Sequence, residues 1–378
     1  MIMNTHYDAV VVGGRVAGAA TAMLLARAGA DVLLIERGTP GRDTLSTHAL
    51  MRGAVVQLDR WGLLDEVAAS TPAVTATAFR YPTGDVRFEI EPLYAPRRTV
   101  LDPIMANAAA RAGAIVVHET SLVGVSRDSD ERVCGVTLSG KISGQVSADI
   151  VIGADGLHST VARLVDAPVI RSGSASNATI VAYVEDAPLD PGAYVWGYSS
   201  NAVAGVIPTN AGRHCVFVSY PTADFRARAH GSIPQSFRRL LDYVDPATAS
   251  AVAAGKRVGP LRSTPGHVGQ FRQASGAGWA LVGDAGYFKD PGAAHGISDA
   301  FRDAELLSHA IAAGDLTSYG RQRDALSAEL FDVLERIVSF SWTLEGLPEL
   351  HGELISAMSD ELRGFLSVVR DRTAVLAA

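Results

Sequence analysis

The chain opens on a largely apolar run, residues 8–12, the pattern of a strand buried on both faces. Ala- and Leu-rich sequence from about Val16 to Ala28 predicts a helix, with Gly29 as its C-terminal cap. "DVLLIE" reads as a second buried strand, which completes one βαβ unit with a short crossover. From Ala49 to Val67 the spacing is helical. "TAFRYPTGDVRFEI" alternates about a Pro-Thr-Gly-Asp turn and predicts a hairpin. "TVLDPIMANAAARAG" reads as helix with Pro103 in its first turn, where a missing N–H is tolerated. Strands are expected at 114–118, 121–127, 132–139 and 146–152. The block 177–220 alternates and is aromatic-rich, which predicts one antiparallel sheet. "WALVGDAG" is a further buried strand, followed by a helix from about Gly292 to Ala312 and a helical tail over 315–375.

Composition narrows the class. At 378 residues, with 48% hydrophobic and 19% charged, the chain can bury a large core. A net charge of -7 argues against nucleic acid or anionic membrane as the main partner. Two distant cysteines, Cys134 and Cys215, offer no disulfide framework and read as buried small hydrophobes. The early first strand leaves no room for a signal peptide, and the apolar runs fall short of a membrane span, so a cytoplasmic setting is expected.

"GGRVAG" places Gly13, Gly14 and Gly18 on the turn from first strand to first helix. This is most of a dinucleotide fingerprint: a tight strand exit, a close helix–strand approach and a helix N-terminus for a pyrophosphate. Glu36 ends the second strand, at the spacing of an acid that binds a ribose hydroxyl, and favours adenosine ribose over a 2′-phosphate. Arg15 stands where the middle glycine normally lies. Its side chain must swing away from a ligand or curl onto a phosphate as counter-charge. Ala17 and Arg37 flank these positions as further cofactor candidates.

Two later motifs repeat the strand-then-acid pattern. "DIVIGADGLHSTVARLV" carries Asp155 ahead of a Ser-initiated helix, and "WALVGDAGYFKDPGAAHGISDAFRDAELL" carries Gly283 and Asp284. Both aspartates can also be read as simple turn caps. With "RRTVLD" at 97–102, these motifs resemble the single-component, class A FAD-dependent monooxygenases, the p-hydroxybenzoate hydroxylase family, from Tyr7 to about Leu307. The resemblance implies an α/β fold: a Rossmann-like FAD-binding domain (1–72, 97–176 and 265–312) interleaved with an antiparallel β-sheet substrate domain (73–96 and 177–264), then C-terminal helices (313–378). It implies FAD as resident cofactor and NAD(P)H as transient co-substrate. NAD(P)H reduces FAD, O2 adds at the flavin C4a, and the C4a-hydroperoxide hydroxylates a small aromatic or polyketide-like substrate.

The same resemblance assigns positions. Arg98 reaches the FAD across a helix start, and the backbone of Leu122 meets the adenine. Asp155 supports the pyrophosphate and the approach of NAD(P)H, and Asp284 holds a ribityl hydroxyl. The backbone of Pro291, Gly292, Ala293, Ala294, His295, Gly296 and Ile297 lies along the isoalloxazine. There a helix N-terminus stabilises the reduced anion. His295 reads either as an added charge or as an exposed loop histidine. In "RDTLSTHALM", His48 is the catalytic candidate, as proton donor or substrate ligand, against a packed helix-start histidine, and Arg42 faces cofactor or solvent. Tyr194, Trp196 and Tyr198 alternate onto one face, as a substrate wall or as core. Scattered histidines predict no metal site.

"YVWGYSS" also resembles the aromatic motif of geranylgeranyl reductases, without its Pro-Lys ending, which leaves an FAD-dependent reductase of carbon–carbon double bonds as the alternative. The halogenase motif Trp-x-Trp-x-Ile-Pro is absent, and Lys141, Lys256 and Lys289 lie elsewhere than a halogenase lysine. A non-catalytic protein that kept the fold would purify colourless, or hold FAD without consuming NAD(P)H.

Overall fold

The computed structural model describes residues 5–224 and 232–376, with side chains as far as Arg370. Residues 225–231, inside the expected substrate segment 177–264, lie outside the described residues. β1 (His6–Val12), α1 (Val16–Arg27) and β2 (Val32–Glu36) form the opening βαβ unit, and Gly29 at φ +92° closes the helix. The helical stretch from Ala49 is shorter than expected and divided. α2 (Arg52–Arg60) ends at Trp61, Gly62 turns at φ +72°, and α3 (Leu64–Ala68) follows. β3 (Val74–Tyr81) and β4 (Gly84–Leu93) make the hairpin. α4 (Arg98–Arg111) starts at Arg98, so Pro103 lies inside the helix and not in its first turn.

β5 (Ile115–His118), β6 (Thr120–Arg127), β7 (Val133–Gly140) and β8 (Gly144–Gly153) return the chain to the first sheet. α5 (Thr160–Leu164) and β9 (Val169–Ser172) lead out of it. β10 (Asn177–Glu185), β11 (Ala193–Ser199), β12 (Ala202–Thr209) and β13 (Arg213–Pro221) form the aromatic-rich block. α6 (Ile233–Val244), α7 (Pro246–Ala254) and β14 (Lys256–Thr264) complete this layer. Short strands β15 (Gln270–Arg272), β16 (Ser275–Gly276), β17 (Trp279–Leu281) and β18 (Tyr287–Phe288) precede α8 (Gly296–Ala312), α9 (Leu316–Val338) and α10 (Leu347–Leu376).

The first sheet runs β16-β17-β8-β1-β2-β5, with β7 and then β6 added beside β8. Its centre is parallel, as the continuous apolar strands require. The second sheet runs β14-β10-β13-β12-β11-β3-β4. It is not wholly antiparallel: β11 pairs with β3 in parallel, because β3 arrives from the other domain's helices instead of from a hairpin. A third small sheet, β18-β15-β9, bridges the loops.

One apolar core joins the parallel sheet, α1, α8 and the inner face of the second sheet. Tyr194, Trp196 and Tyr198 belong to that core, whereas Ala193 and Val195 pack on the outer face against α6. Strand alternation therefore sorts the aromatic side chains inward. No described helix is long and apolar enough to cross a membrane.

Candidate active site

Four chain segments leave the parallel sheet at the same end. Gly13 N–H donates to Ile35 O (2.8 Å), Ala154 N–H to Val12 O (2.8 Å) and Val282 N–H to Gly153 O (2.9 Å), so the ends of β2, β1, β8 and β17 lie side by side. Glu36, Gly13, Asp155 and Asp284 follow directly from these ends, where α/β sheets bind ligands. Gly13 adopts φ +108°, and a Cβ there would lie 2.4 Å from Ala154 O. A Cβ on Gly18 would lie 1.8 Å from Gly13 O, so α1 can approach its strand only as glycine. Glu36 accepts from Gly14 N–H (2.8 Å) and Gly38 N–H (2.7 Å), which fixes its carboxylate beside the α1 N-terminus.

Arg15 does not fill this cradle. Its Nε lies 4.0 Å from Asp102, whose other oxygen accepts from Arg98 Nε (2.7 Å). Burial and the neighbouring Arg98 lower the Arg15 pKa, against Asp102 and Glu36, which raise it. A chain of charge thus runs from Glu36 through Arg15, Asp102 and Arg98, and Arg98 in turn lowers the pKa of Asp284. The free backbone donors, the glycine cradle and these guanidinium groups fit a pyrophosphate with its ribose at Glu36.

The two aspartates differ. Asp155 accepts from Ser159 Oγ (2.5 Å), Thr160 N–H (2.6 Å) and Val161 N–H (3.3 Å), so it caps α5 and holds the loop beside Gly13. Asp284 carries no such cap. Its side chain is exposed at the strand end, while the dense protein around it and Asp299 push its carboxyl up to about 6. In the adjoining loop, Asp290 accepts from Gly292 N–H (3.0 Å) and from Asn177 N–H (2.8 Å) of β10, which ties the loop to the second sheet. Burial pushes Asp290 up to about 7. Pro291–Ala293 form one 3-10 turn, Ala294 takes φ +52°, and α8 starts at Gly296. The helix therefore begins later than the expected Gly292.

His295 is buried, not an exposed loop residue. Its Nε2 lies 3.4 Å from Glu361 of α10. Arg302 binds Glu361, Asp299 (3.2 Å) and Asp303 (2.8 Å), and Lys289 binds Asp299. Burial alone raises the Glu361 carboxyl, but Arg302 and His295 outweigh it and hold it well below the usual range. His295, Asp299 and Glu361 come within metal-ligand spacing, as do His6, Asp8 and Asp149 at the surface. In the buried trio both carboxylates already face Lys289 or Arg302.

On the sheet side, His48 sits at φ +65° before α2, almost fully buried, with Nε2 bonded to the Tyr183 hydroxyl. Burial and Arg98 lower its pKa to about 3, so it is a neutral hydrogen-bonding group and not an imidazolium donor. Arg97 lies over the Tyr183 ring (4.1 Å) and binds Asp43 (2.6 Å), which also meets Arg262 (3.2 Å) of β14. Tyr194 donates to Tyr94 O (2.7 Å) and Trp196 to Thr77 Oγ1 (3.2 Å). Tyr198 packs against His351 of α10 (4.5 Å), with Phe79 and Tyr81 alongside. Leu122 is buried in the core on the far face of the parallel sheet, Cys215 is buried, and Cys134 is half-buried.

Asp102, Tyr183, Asp43, Arg97, Arg302, Glu361 and His351 were not legible as site residues. Arg97 and Asp102 lie in "RRTVLD" and Asp43 in "RDTLSTHALM"; the others lie on elements whose sequence carries only helical or strand periodicity.

Residues 6–332 match the model of the FAD binding domain family. A digeranylgeranylglycerophospholipid reductase from Methanopyrus kandleri is 30% identical over 305 residues, covering 74% of this chain and 70% of the relative. Among solved structures, the flavin-dependent brominase Bmp2 superposes with a TM-score of 0.78 at 19% identity, over 98% of this chain and 99% of that one. Pseudomonas aeruginosa PqsL in complex with 2-aminobenzoylacetate superposes with a TM-score of 0.75 at 22% identity, over 94% and 100%. Both likenesses establish the fold.

Proposed function

Since the chain belongs to the FAD binding domain family and is an FAD-dependent oxidoreductase, we propose that it is an NAD(P)H-dependent monooxygenase of small, polar aromatic or polyketide-like substrates. Bound FAD supplies electron transfer from NAD(P)H and the activation of O2. The protein's part is to bind, orient and stabilise charge. Gly13, Gly14 and Gly18 let α1 present its N–H groups to the pyrophosphate, and Arg15 and Arg98 add counter-charge from beside Asp102. Glu36 takes the adenosine ribose, Asp284 a ribityl hydroxyl, and the backbone of Leu122 meets the adenine. The loop from Pro291 to Ile297 lies along the ring system. The N-terminus of α8 there stabilises the negative charge of the reduced ring through its N–H groups and dipole. Asp155 serves by holding its loop, since both its oxygens are engaged.

The observation that carries this reading is a buried polar cluster between the second sheet and the start of α2. The Tyr183 hydroxyl bonds the neutral His48, and Arg97 lies over the Tyr183 ring and binds Asp43. Such groups recognise a phenol, a carboxylate or an enolised carbonyl better than an isoprenoid chain. PqsL, with its bound 2-aminobenzoylacetate, offers a parallel in ligand chemistry.

A second reading, reduction of an isoprenoid double bond, rests on the M. kandleri relative and on the inward-facing Tyr194, Trp196 and Tyr198. A panel of phenols, 2-aminobenzoyl acids and prenylated quinones, incubated with NADH or NADPH, separates the two. The monooxygenase gives products one oxygen heavier, labelled from 18O2. Saturated products formed without O2 would overturn it.

A further inference from the structure

The buried network behind the start of α8 is unusual in its charge count. Asp299, Asp303 and Glu361 bring three carboxylates, and Lys289 and Arg302 bring two fixed cations. Arg323, which also faces Asp303, is matched by Asp324 (2.7 Å). Tyr287, which packs under Lys289 and Arg302, stays neutral because burial raises its pKa far above the ordinary value. Asp284 is exposed beside the network and feels Asp299, Arg98, Lys289 and Asp303. Three buried carboxylates face two cations; burial raises the Asp303 carboxyl against Arg302 and Arg323, and the group in contact with the other side of Glu361 is His295, 3.4 Å away. A buried charge is tolerated only when paired. Glu361 belongs to α10, beyond residues 6–332 that the family model spans.

We propose that Glu361 is a positioning residue that holds His295 as an imidazolium, so that the C-terminal helix places a positive charge at the α8 N-terminus and favours reduced over oxidised flavin. This rests on the placement of the flavin ring along residues 291–297. His295 is the last residue before α8, so its charge adds to the N–H groups and dipole of that helix. Arg302 orients Glu361 from the opposite side and keeps it ionised.

The test is the midpoint potential of the bound FAD, by spectroelectrochemistry on the holoprotein. Glu361→Gln removes an anion. If that anion acted directly on the flavin, the potential would rise. The proposal predicts the reverse: loss of the imidazolium makes reduced flavin about tenfold less favoured, ~30 mV more negative for a two-electron couple. His295→Asn is expected to produce a similar fall, and the double variant no more than either single one. An unchanged or raised potential in Glu361→Gln, or additive effects, would overturn the proposal. Should Glu361→Gln fail to fold, His295→Asn alone decides, because an unmoved potential there removes the charge from the account. Asp284→Ala distinguishes failure of the underlying placement. If it leaves FAD affinity intact, the flavin does not lie where the proposal requires. If it weakens FAD while the two variants leave the potential unmoved, only the role of Glu361 falls.

Discussion

Arg15 shows how one side chain can break a motif without breaking the site. Its guanidinium turns toward Asp102, leaving Gly13, Gly14 and Gly18 to form the cradle. Arg15→Gly should therefore weaken FAD binding by roughly tenfold, the scale of one charge-assisted contact, as read by fluorescence titration of the apoprotein. Tighter binding would mean that Arg15 obstructs the site. Asp284 makes a pH-dependent claim. Its folded carboxyl is pushed up to about 6, above the ordinary 3.8, and on the proposed placement the ionised form accepts a ribityl hydroxyl best. FAD affinity should then be constant above pH 6 and fall as the pH drops below it, by up to about tenfold per unit. Asp284→Asn should bind more weakly at pH 8 and lose that slope. A wild-type affinity flat from pH 8 to pH 5 would contradict the assignment. Glycines and acids at strand ends were readable because their spacing encodes the turn. Which oxygen Asp155 spends on its own helix was not, since capping depends on backbone geometry that the letters do not specify.

At the scale of elements, α8 carries most of the site's charge. Arg302 is buried among Asp299, Asp303 and Glu361, and its loss would take the guanidinium from Asp303 and Glu361 while Lys289 stays on Asp299. Arg302→Met is expected to cost ~3–5 kcal/mol in urea unfolding, the range for removing one partner of a buried charge group. A change below about 1 kcal/mol would mean that the carboxylates protonate or hydrate without it. The boundaries of α1, β2, β7 and β8 could be read closely, because apolar runs and a capping glycine mark them. The start of α8 was misplaced by four residues: "PGAAHG" opens on a Pro-Gly turn signal that was read as helix, and Ala294 adopts a left-handed conformation that its residue type does not announce. The parallel pairing of β11 with β3 was equally hidden, since strand alternation reports a face and not a direction.

For the whole molecule, the sequence indicated a parallel and a second, strand-rich sheet and the strand ends that carry the glycines and acids, but not how α10 closes over them. Its His351 and Glu361 reach the aromatic face of the second sheet and the α8 network respectively. These contacts link residues far apart in sequence, with no local pattern to announce them. The central claim is that the flavin bound by this chain works with O2. The most direct measurement is to reduce the purified holoprotein with NADPH or NADH under nitrogen, then admit air and follow the visible flavin spectrum with O2 uptake. The account predicts bleaching under nitrogen, followed by prompt recovery of the oxidised spectrum with matching O2 consumption. Flavin that is bleached by NAD(P)H but stays reduced in air would contradict it and point to the reductase.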